Sequence, residues 1–567
     1  MKFTEYKALE LTKIAQEILQ FWKDNDIFQK SIDFRNGKEP FIFYEGPPSA
    51  NGLPGIHHVM ARSLKDIFCR FHTQLGEQVF RKAGWDTHGL PVELGVEKEL
   101  GITKDDIGKK ISVADYNKAC KEAVMRYTNI WNDLTEKIGY WVDLDDPYIT
   151  YKPKYMETVW WLLKQLYNKG LLYKGYTIQP YSPKAGTGLS SHELNQPGCY
   201  RDVSDTTITA QFKVKDFATT AAAALKAQGT VYILAWTTTP WTLPSNTALA
   251  VGKNIDYVLV RTFNQYTFEP IQVVLAKELV EKQLGAKFFR TSEEADFVAY
   301  ANDENRKKIP YEILAECKGT DLVGTTYEQL IPWFLPAENP EKAFRVIPGD
   351  FVTTEDGTGI VHIAPTFGAD DARVGKENGI PPMLVRDEND NLVPLIDLQG
   401  RFLKGDKVPG LFAEKYIKNE YYKSGEAPEK SWDVELAILL KTENKAFKVE
   451  KYVHSYPHCW RTDTPVLYYP LDSWFVKMTA VRDRLVALNQ EINWKPKATG
   501  EGRFANWLEN INDWNLSRSR YWGIPLPIWR TEDTKEEKII GSVEELIAEI
   551  NKAIAAGGMK ENPFKDF

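Results

Sequence analysis

Cysteine is scarce in this sequence: five residues among 567, at Cys69, Cys120, Cys199, Cys317 and Cys459. The number is odd and no two form a C-x-x-C pair, which argues against a disulfide framework and suits a reducing cytoplasm. Long apolar runs are missing too. None approaches the ~20 residues that a bilayer-spanning helix needs. The opening stretch MKFTEYKALELTKIAQEILQFWKD has no signal-peptide core and reads as an amphipathic helix through Leu11, Ile14, Ile18 and Trp22. There is no excess of positive charge. A net charge of −7 argues against a general nucleic-acid coat while leaving room for a local basic groove. Internal repeats and low-complexity tracts are absent, as are G-x-G-x-x-G, Walker-type and G-x-S-x-G motifs in a convincing setting.

What is present is a chain too long for one core, so two to four domains are expected. It is 43% hydrophobic and 26% charged, the balance of globular protein. Residues 40–95 alternate strand, loop, helix and strand, as a βαβ unit does. In the helix, Met60, Leu64, Ile67, Phe68 and Phe71 form a stripe expected to lie against a core. Residues 100–175 read as helical, with Val159, Leu162, Leu163 and Leu166 on one face. The Pro/Gly/Ser-rich IQPYSPKAGTGLSSHELNQPG then looks like a boundary. Short β-runs such as TVYILAWTTT, DYVLVRTF and IQVVLA fill 200–400. The expected organisation is an α/β domain interrupted by a β-rich one: residues 1–195, 196–400 and 401–567.

Four segments carry candidate chemistry. GLPGIHHVMARSLKDIF, residues 52–68, places two of only eight histidines, His57 and His58, at a helix start. The first amides of a helix lack partners and favour anions, so imidazoles beside them suit phosphate; capping the helix is the plainer alternative. AGWDTHGLPVE puts Asp86 and His88 at the carboxyl end of a strand, where ligands of open α/β sheets bind. Asp86 there suits a substrate ammonium group or a turn. AWTTTPWTLPSNTALAV offers hydroxyls that could orient water, ribose or ester, though threonine is also simply a good strand residue. EDGTGIVHIAPTFGADDARVG brings His362 and an aspartate pair onto neighbouring loops, able to hold an amine or a hydrolytic water.

FYEGPPSANGLPGIHH, GWDTHGLPVE, WTTTPWTLPSN, GTGIVHIAPTFGADD, HSYPHCWR and LSRSRYWGIPLPIW occur in an order and spacing that resemble the isoleucyl-tRNA synthetases over essentially the whole chain. GWDTHGLPVE favours the isoleucine enzymes over their valine and leucine siblings. The resemblance implies a class I Rossmann-type nucleotide-binding catalytic domain interrupted by a β-rich editing domain. It implies isoleucine, ATP with Mg2+, and tRNA(Ile) as substrates and partners, with no membrane and a monomeric cytoplasmic enzyme. On this reading Pro48, Asn51, Gly52, Pro54 and Gly55 form the ATP signature loop, and His57 and His58 stabilise charge on the phosphates. Asp86 anchors the substrate ammonium, while Pro47 and Trp522 line the side-chain pocket. Thr237, Thr238, Thr239, Trp241, Asn246, His362 and Asp371 match the editing pocket, Asp371 being chosen over Asp370 by counting from His362.

Three departures stand out. The signature reads GIHH where the family has H-x-G-H, so histidine and glycine have exchanged places. The zinc-binding cysteine pairs of many relatives are missing, and no structural zinc is expected. No K-M-S-K-S loop precedes the end, so an N-terminal fragment is expected. A non-catalytic paralogue with a decayed signature is the alternative from another class, opposed by retention of Asp86 and the editing set.

Overall fold

The computed structural model describes residues 5–303, 307–531 and 535–563, and for residues 191–192 only the backbone. The chain divides into two compact units, residues 1–173 with 474–567 and residues 174–473. The boundaries expected at 195 and 400 both fall within the second unit. The span 401–473 belongs there because its strand Ala446–Pro457 pairs antiparallel with the long strand Tyr200–Asp216 of the β-rich sheet. No helix among the described residues is long and apolar enough to cross a membrane. All five cysteines are buried free thiols.

In the first unit, β1 (Pro40–Tyr44), β2 (Gln78–Trp85) and β3 (Asp143–Ile149) form a parallel sheet in that order. Helices α1 (Leu11–Asp24) and α2 (Ile27–Asp33) precede it, α3 (Ile56–Leu75) links β1 to β2, and α4 (Leu90–Leu100) follows β2. The βαβ reading holds, but the burial expected of α3 does not. Met60, Leu64, Ile67, Phe68 and Phe71 are each more than half exposed. The docked face instead carries Arg62, Cys69 and Thr73. The reason is polar pairing: Arg62 bonds Thr135 and lies 4.9 Å over the Trp131 ring, and Thr73 Oγ1 accepts from Arg81 at 2.6 Å. Leu162, too, is half exposed while Leu163 is buried. In α1, Trp22 meets Trp141 edge-on at 5.1 Å, whereas Leu11 and Ile18 are exposed.

The second unit is built around an eleven-stranded sheet. The run Val231–Thr237, Ile360–Ile363, Ala248–Val251, Arg345–Pro348, Thr326–Tyr327 and Tyr200–Asp216 closes on itself, because Val231–Thr237 also pairs with Tyr200–Asp216. Closure removes sheet edges and encloses a core of alternating inward residues, here including Ile208, Phe212, Ile233, Leu249 and Val346.

Candidate active sites in the two units

Both candidate sites lie where strands end and backbone turns expose polar groups. In the first unit, β1 runs into a loop pinned by two bonds: the Trp131 indole donates to the Gly52 carbonyl at 2.8 Å, and the Tyr127 amide to that of Ala50 at 3.2 Å. The loop ends at Pro54 and at Gly55, the N-cap of α3. The Gly55 amide donates to His58 Nδ1 at 2.9 Å, so Nδ1 is an acceptor and the ring proton belongs on Nε2. Burial, followed by the neighbouring His57 and Arg62, holds the His58 pKa below its ordinary value. A recess of about 450 Å³ is lined by Pro47, Pro48, Asn51, Gly52 and His58, together with Arg62, Lys65 and Glu45. Glu45 is buried and bound by Lys65 and Tyr140.

His57 is exposed and does not line that recess. Its ring lies 3.8 Å from the ring of His58 and folds back over Gly55, so a Cβ on residue 55 would come within 2.8 Å of it. The displaced histidine therefore occupies the space that a side chain at residue 55 would need.

At the carboxyl end of β2, the Asp86 amide donates to the Pro48 carbonyl at 3.0 Å, joining this turn to the loop that follows β1. Asp86 remains solvent-accessible, and the surrounding protein raises its carboxyl above the ordinary value. Burial lowers His88 to about 4, keeping the ring neutral. Trp522 arrives from the distant end of the chain: its indole donates to the Thr87 carbonyl at 2.5 Å, and its ring lies 5.3 Å from that of His88. A network that sequence inspection missed holds it there. Glu93, fully buried, accepts from Arg520 Nε at 2.8 Å and from the Tyr521 and Trp522 amides at 3.1 and 3.0 Å. Glu93 stands in the quoted GWDTHGLPVE and Arg520 in LSRSRYWG, so the partners were visible and their pairing was not.

In the second unit, Thr237 ends a strand and Thr238 and Thr239 lead into the short turn Pro240–Ser245. His362 stands on the neighbouring strand Ile360–Ile363. A recess of about 370 Å³ is lined by Thr237, Thr238 and His362 with the 351–361 segment. Thr242, another residue missed in the sequence, fixes the imidazole. Its hydroxyl donates to the Thr239 carbonyl at 2.8 Å, so its oxygen is left to accept from His362 Nε2 at 3.0 Å. That assigns the ring proton to Nε2 and leaves Nδ1 a buried acceptor with no hydrogen-bond partner among the described residues. Complete burial lowers His362 to about 4, so the ring is neutral.

Asp371 lies in the first turn of the helix Ala369–Glu377, where its carboxylate accepts from the Ala364 amide at 2.8 Å. Burial pushes it up to about 6, while Asp370 beside it is exposed. Trp241 is buried edge-on against Phe367 at 5.2 Å. Asn246 is placed differently from a pocket-lining residue. Its carboxamide donates to the Ala248 carbonyl and accepts from the Tyr327 hydroxyl, at 2.8 and 2.7 Å, so both ends are engaged by protein.

The family model of class I tRNA synthetases (I, L, M and V) matches residues 17–566. Three curated relatives, each named isoleucine–tRNA ligase, align with the whole chain. The relative from Bacteroides fragilis is 60% identical over 578 residues, that from Cytophaga hutchinsonii 61% over 576, and that from Porphyromonas gingivalis 57% over 579. In each case 100% of this chain aligns with 50% of the relative, so the chain spans about half the length of the curated relatives it matches. The match over residues 17–566, with a parallel βαβ unit in the first compact unit, places this chain in the class I tRNA synthetase family, in the group that takes in the I, L, M and V enzymes.

Proposed function

We propose that the protein containing this chain is an isoleucine–tRNA ligase: ATP activates isoleucine as its adenylate, and the acyl group then passes to tRNA(Ile). In the first unit, His58 Nε2–H and the start of α3 would face the phosphates, with Lys65 and Arg62 adding positive charge to the recess wall. Donors fixed where charge develops are the largest common source of catalysis in such transfers. Mg2+ would offset phosphate charge and would be carried by the nucleotide, since Glu45, the carboxylate lining this recess, already holds Lys65 and Tyr140. Asp86 would take the substrate ammonium, and Pro47 and Trp522 would flank the side chain.

The second unit would hydrolyse valyl-tRNA(Ile). A methylene in an apolar pocket is worth only about 1–3 kcal/mol, a known magnitude for this enzyme class rather than one worked from this structure, so a second hydrolytic site is needed. The observation that carries this reading is a neutral His362, its tautomer fixed by Thr242, beside Thr237 and Thr238 in one recess. The threonine hydroxyls can orient the ester and a water, the neutral imidazole of His362 lines the same recess, and ionised Asp371 can hold the ammonium group. Water then adds to the ester carbonyl, and the terminal ribose hydroxyl leaves as an alcohol after gaining a proton. Preformed valyl-tRNA(Ile) and isoleucyl-tRNA(Ile), offered separately to the full-length protein, test this. Rapid loss of the valyl ester with the isoleucyl ester spared is expected, and equal rates would refute it.

A further inference from the structure

Trp522 is held at two points, and both lie on one short stretch of chain. Its indole N–H donates to the Thr87 carbonyl at 2.5 Å, and its backbone amide donates to Glu93 at 3.0 Å. Thr87 is itself fixed: it is fully buried, and its amide and hydroxyl bond Thr150 Oγ1 at 3.0 and 2.7 Å. Glu93, also fully buried, stands in the first turn of α4, whose N-cap Gly89 has a φ of 109° that favours glycine. Arg520, its side chain only 7% exposed, donates through Nε to Glu93 and also binds Glu97, one turn further along α4. The Tyr116 hydroxyl donates to Glu97 at 3.3 Å.

A buried cluster of one arginine and two carboxylates is weak evidence of a stabilising role, because removing charges from water offsets most of their attraction. Its effect here is geometric. Three consecutive residues, Arg520, Tyr521 and Trp522, each direct a donor onto the one carboxylate of Glu93. Residues 86–93 therefore carry the proposed ammonium anchor, Asp86, and both attachment points of the proposed side-chain wall, Trp522.

We propose that Glu93 is a specificity-determining positioning residue for amino-acid activation: it fixes the distance between Asp86 and Trp522, and so the length of side chain that the pocket selects. This rests on the isoleucine-activating reading above. Isoleucine exceeds valine by one methylene, so a pocket prefers it only through contacts to that group, and those contacts depend on where the wall stands. Drawing the wall back leaves the methylene without neighbours, and pushing it forward crowds isoleucine out. Either displacement lowers the preference for isoleucine. A purely structural Glu93 would instead change the handling of both amino acids alike.

The test is ATP–pyrophosphate exchange by the full-length protein, with isoleucine and with valine. Glu93→Asp keeps the charge and retracts the carboxylate by one methylene. The ratio of kcat/KM for isoleucine to that for valine should fall about fivefold or more, with hydrolysis of preformed valyl-tRNA(Ile) unchanged. Trp522→Phe keeps an aromatic wall and gives up the bond to Thr87, so it should lower the ratio as well. Adding Glu93→Asp to it should lower the ratio little further, because both act through one wall. An unchanged ratio in folded Glu93→Asp would overturn the proposal, as would fully additive losses with Trp522→Phe. Where Glu93→Asp does not fold, Arg520→Lys takes its place: it gives up the fork between two carboxylates, should lower the ratio about threefold, and overturns the proposal if the ratio holds. A wild-type protein with no isoleucine-dependent exchange would instead sink the activation reading beneath it.

Discussion

Replacing Gly55 by alanine should disable amino-acid activation without unfolding the protein. A Cβ at residue 55 would stand 2.8 Å from His57 Cε1 and 2.9 Å from Nδ1, well inside the ~3.5 Å at which carbon contacts are favourable. The φ of −105° at Gly55 is open to alanine, so the backbone keeps its path and the ring must move. Moving it breaks the 3.8 Å contact with His58, an aromatic pair worth about 0.5–1.5 kcal/mol at most. Because His57 is exposed, stability should change by about 1 kcal/mol or less. Catalysis should change far more. His57 braces His58, the donor assigned to the recess, and misplacing one pre-placed donor to developing charge lowers kcat by about 100- to 1,000-fold, roughly 2.7–4 kcal/mol. Isoleucine-dependent ATP–pyrophosphate exchange by the full-length protein is the assay. Gly55→Ala and His57→Ala should each fall by about that factor, and the double variant should fall no further, because both act through one ring. Gly55→His combined with His57→Gly should restore activation, since the imidazole returns to the space that His57 vacates. Additive losses in the Gly55→Ala/His57→Ala double variant, or wild-type exchange by Gly55→Ala, would refute this reasoning.

Valyl-tRNA hydrolysis should depend on the ionised form of Asp371, whose carboxyl is raised to about 6. The rate should therefore hold above pH 7 and drop to about a tenth by pH 5, while Asp371→Asn gives a low, flat profile; a wild-type profile flat between pH 5 and 7 would contradict this. His362, at about 4, should add no limb in that window. Glu93→Ala would remove the acceptor of Arg520 Nε and of the Tyr521 and Trp522 amides, lowering unfolding stability by about 1–3 kcal/mol in a denaturant titration and raising KM for isoleucine as Trp522 loosens. Tyr327→Phe would strip the buried Asn246 carbonyl of its donor, lowering stability by about 1–3 kcal/mol and slowing editing, with pyrophosphate exchange unaffected.

Local pattern made the βαβ unit legible: FIFYEG, the helical spacing after Gly55 and EQVFRKAGWD read correctly as strand, helix and strand. The strand Asp143–Ile149 did not, because DLDDPYI carries three aspartates and a proline and shows no alternation. Helical spacing located α3 but misjudged its buried face, since Arg62 and Thr73 dock through partners that hydropathy does not register. The two compact units divide elsewhere than at the expected domain edges, 195 and 400, for a topological reason. The strand Ala446–Pro457 returns to pair with Tyr200–Asp216 across more than 200 residues of sequence. In the sites, residues within one motif were readable. Pairings such as Tyr327 with Asn246, Glu93 with Arg520 and Lys418 with Asp433 join residues whose separation carries no local signal.

Charging of tRNA(Ile) in the presence of ATP and valine tests both proposed sites in one reaction. The full-length wild-type protein should consume ATP continuously while valyl-tRNA(Ile) fails to accumulate. Asp371→Ala should accumulate valyl-tRNA(Ile) to near stoichiometry, with isoleucine-dependent pyrophosphate exchange unchanged. If Asp371→Ala consumes ATP as wild type does and no valyl-tRNA(Ile) builds up, the β-rich unit is not the editing site and the account is wrong.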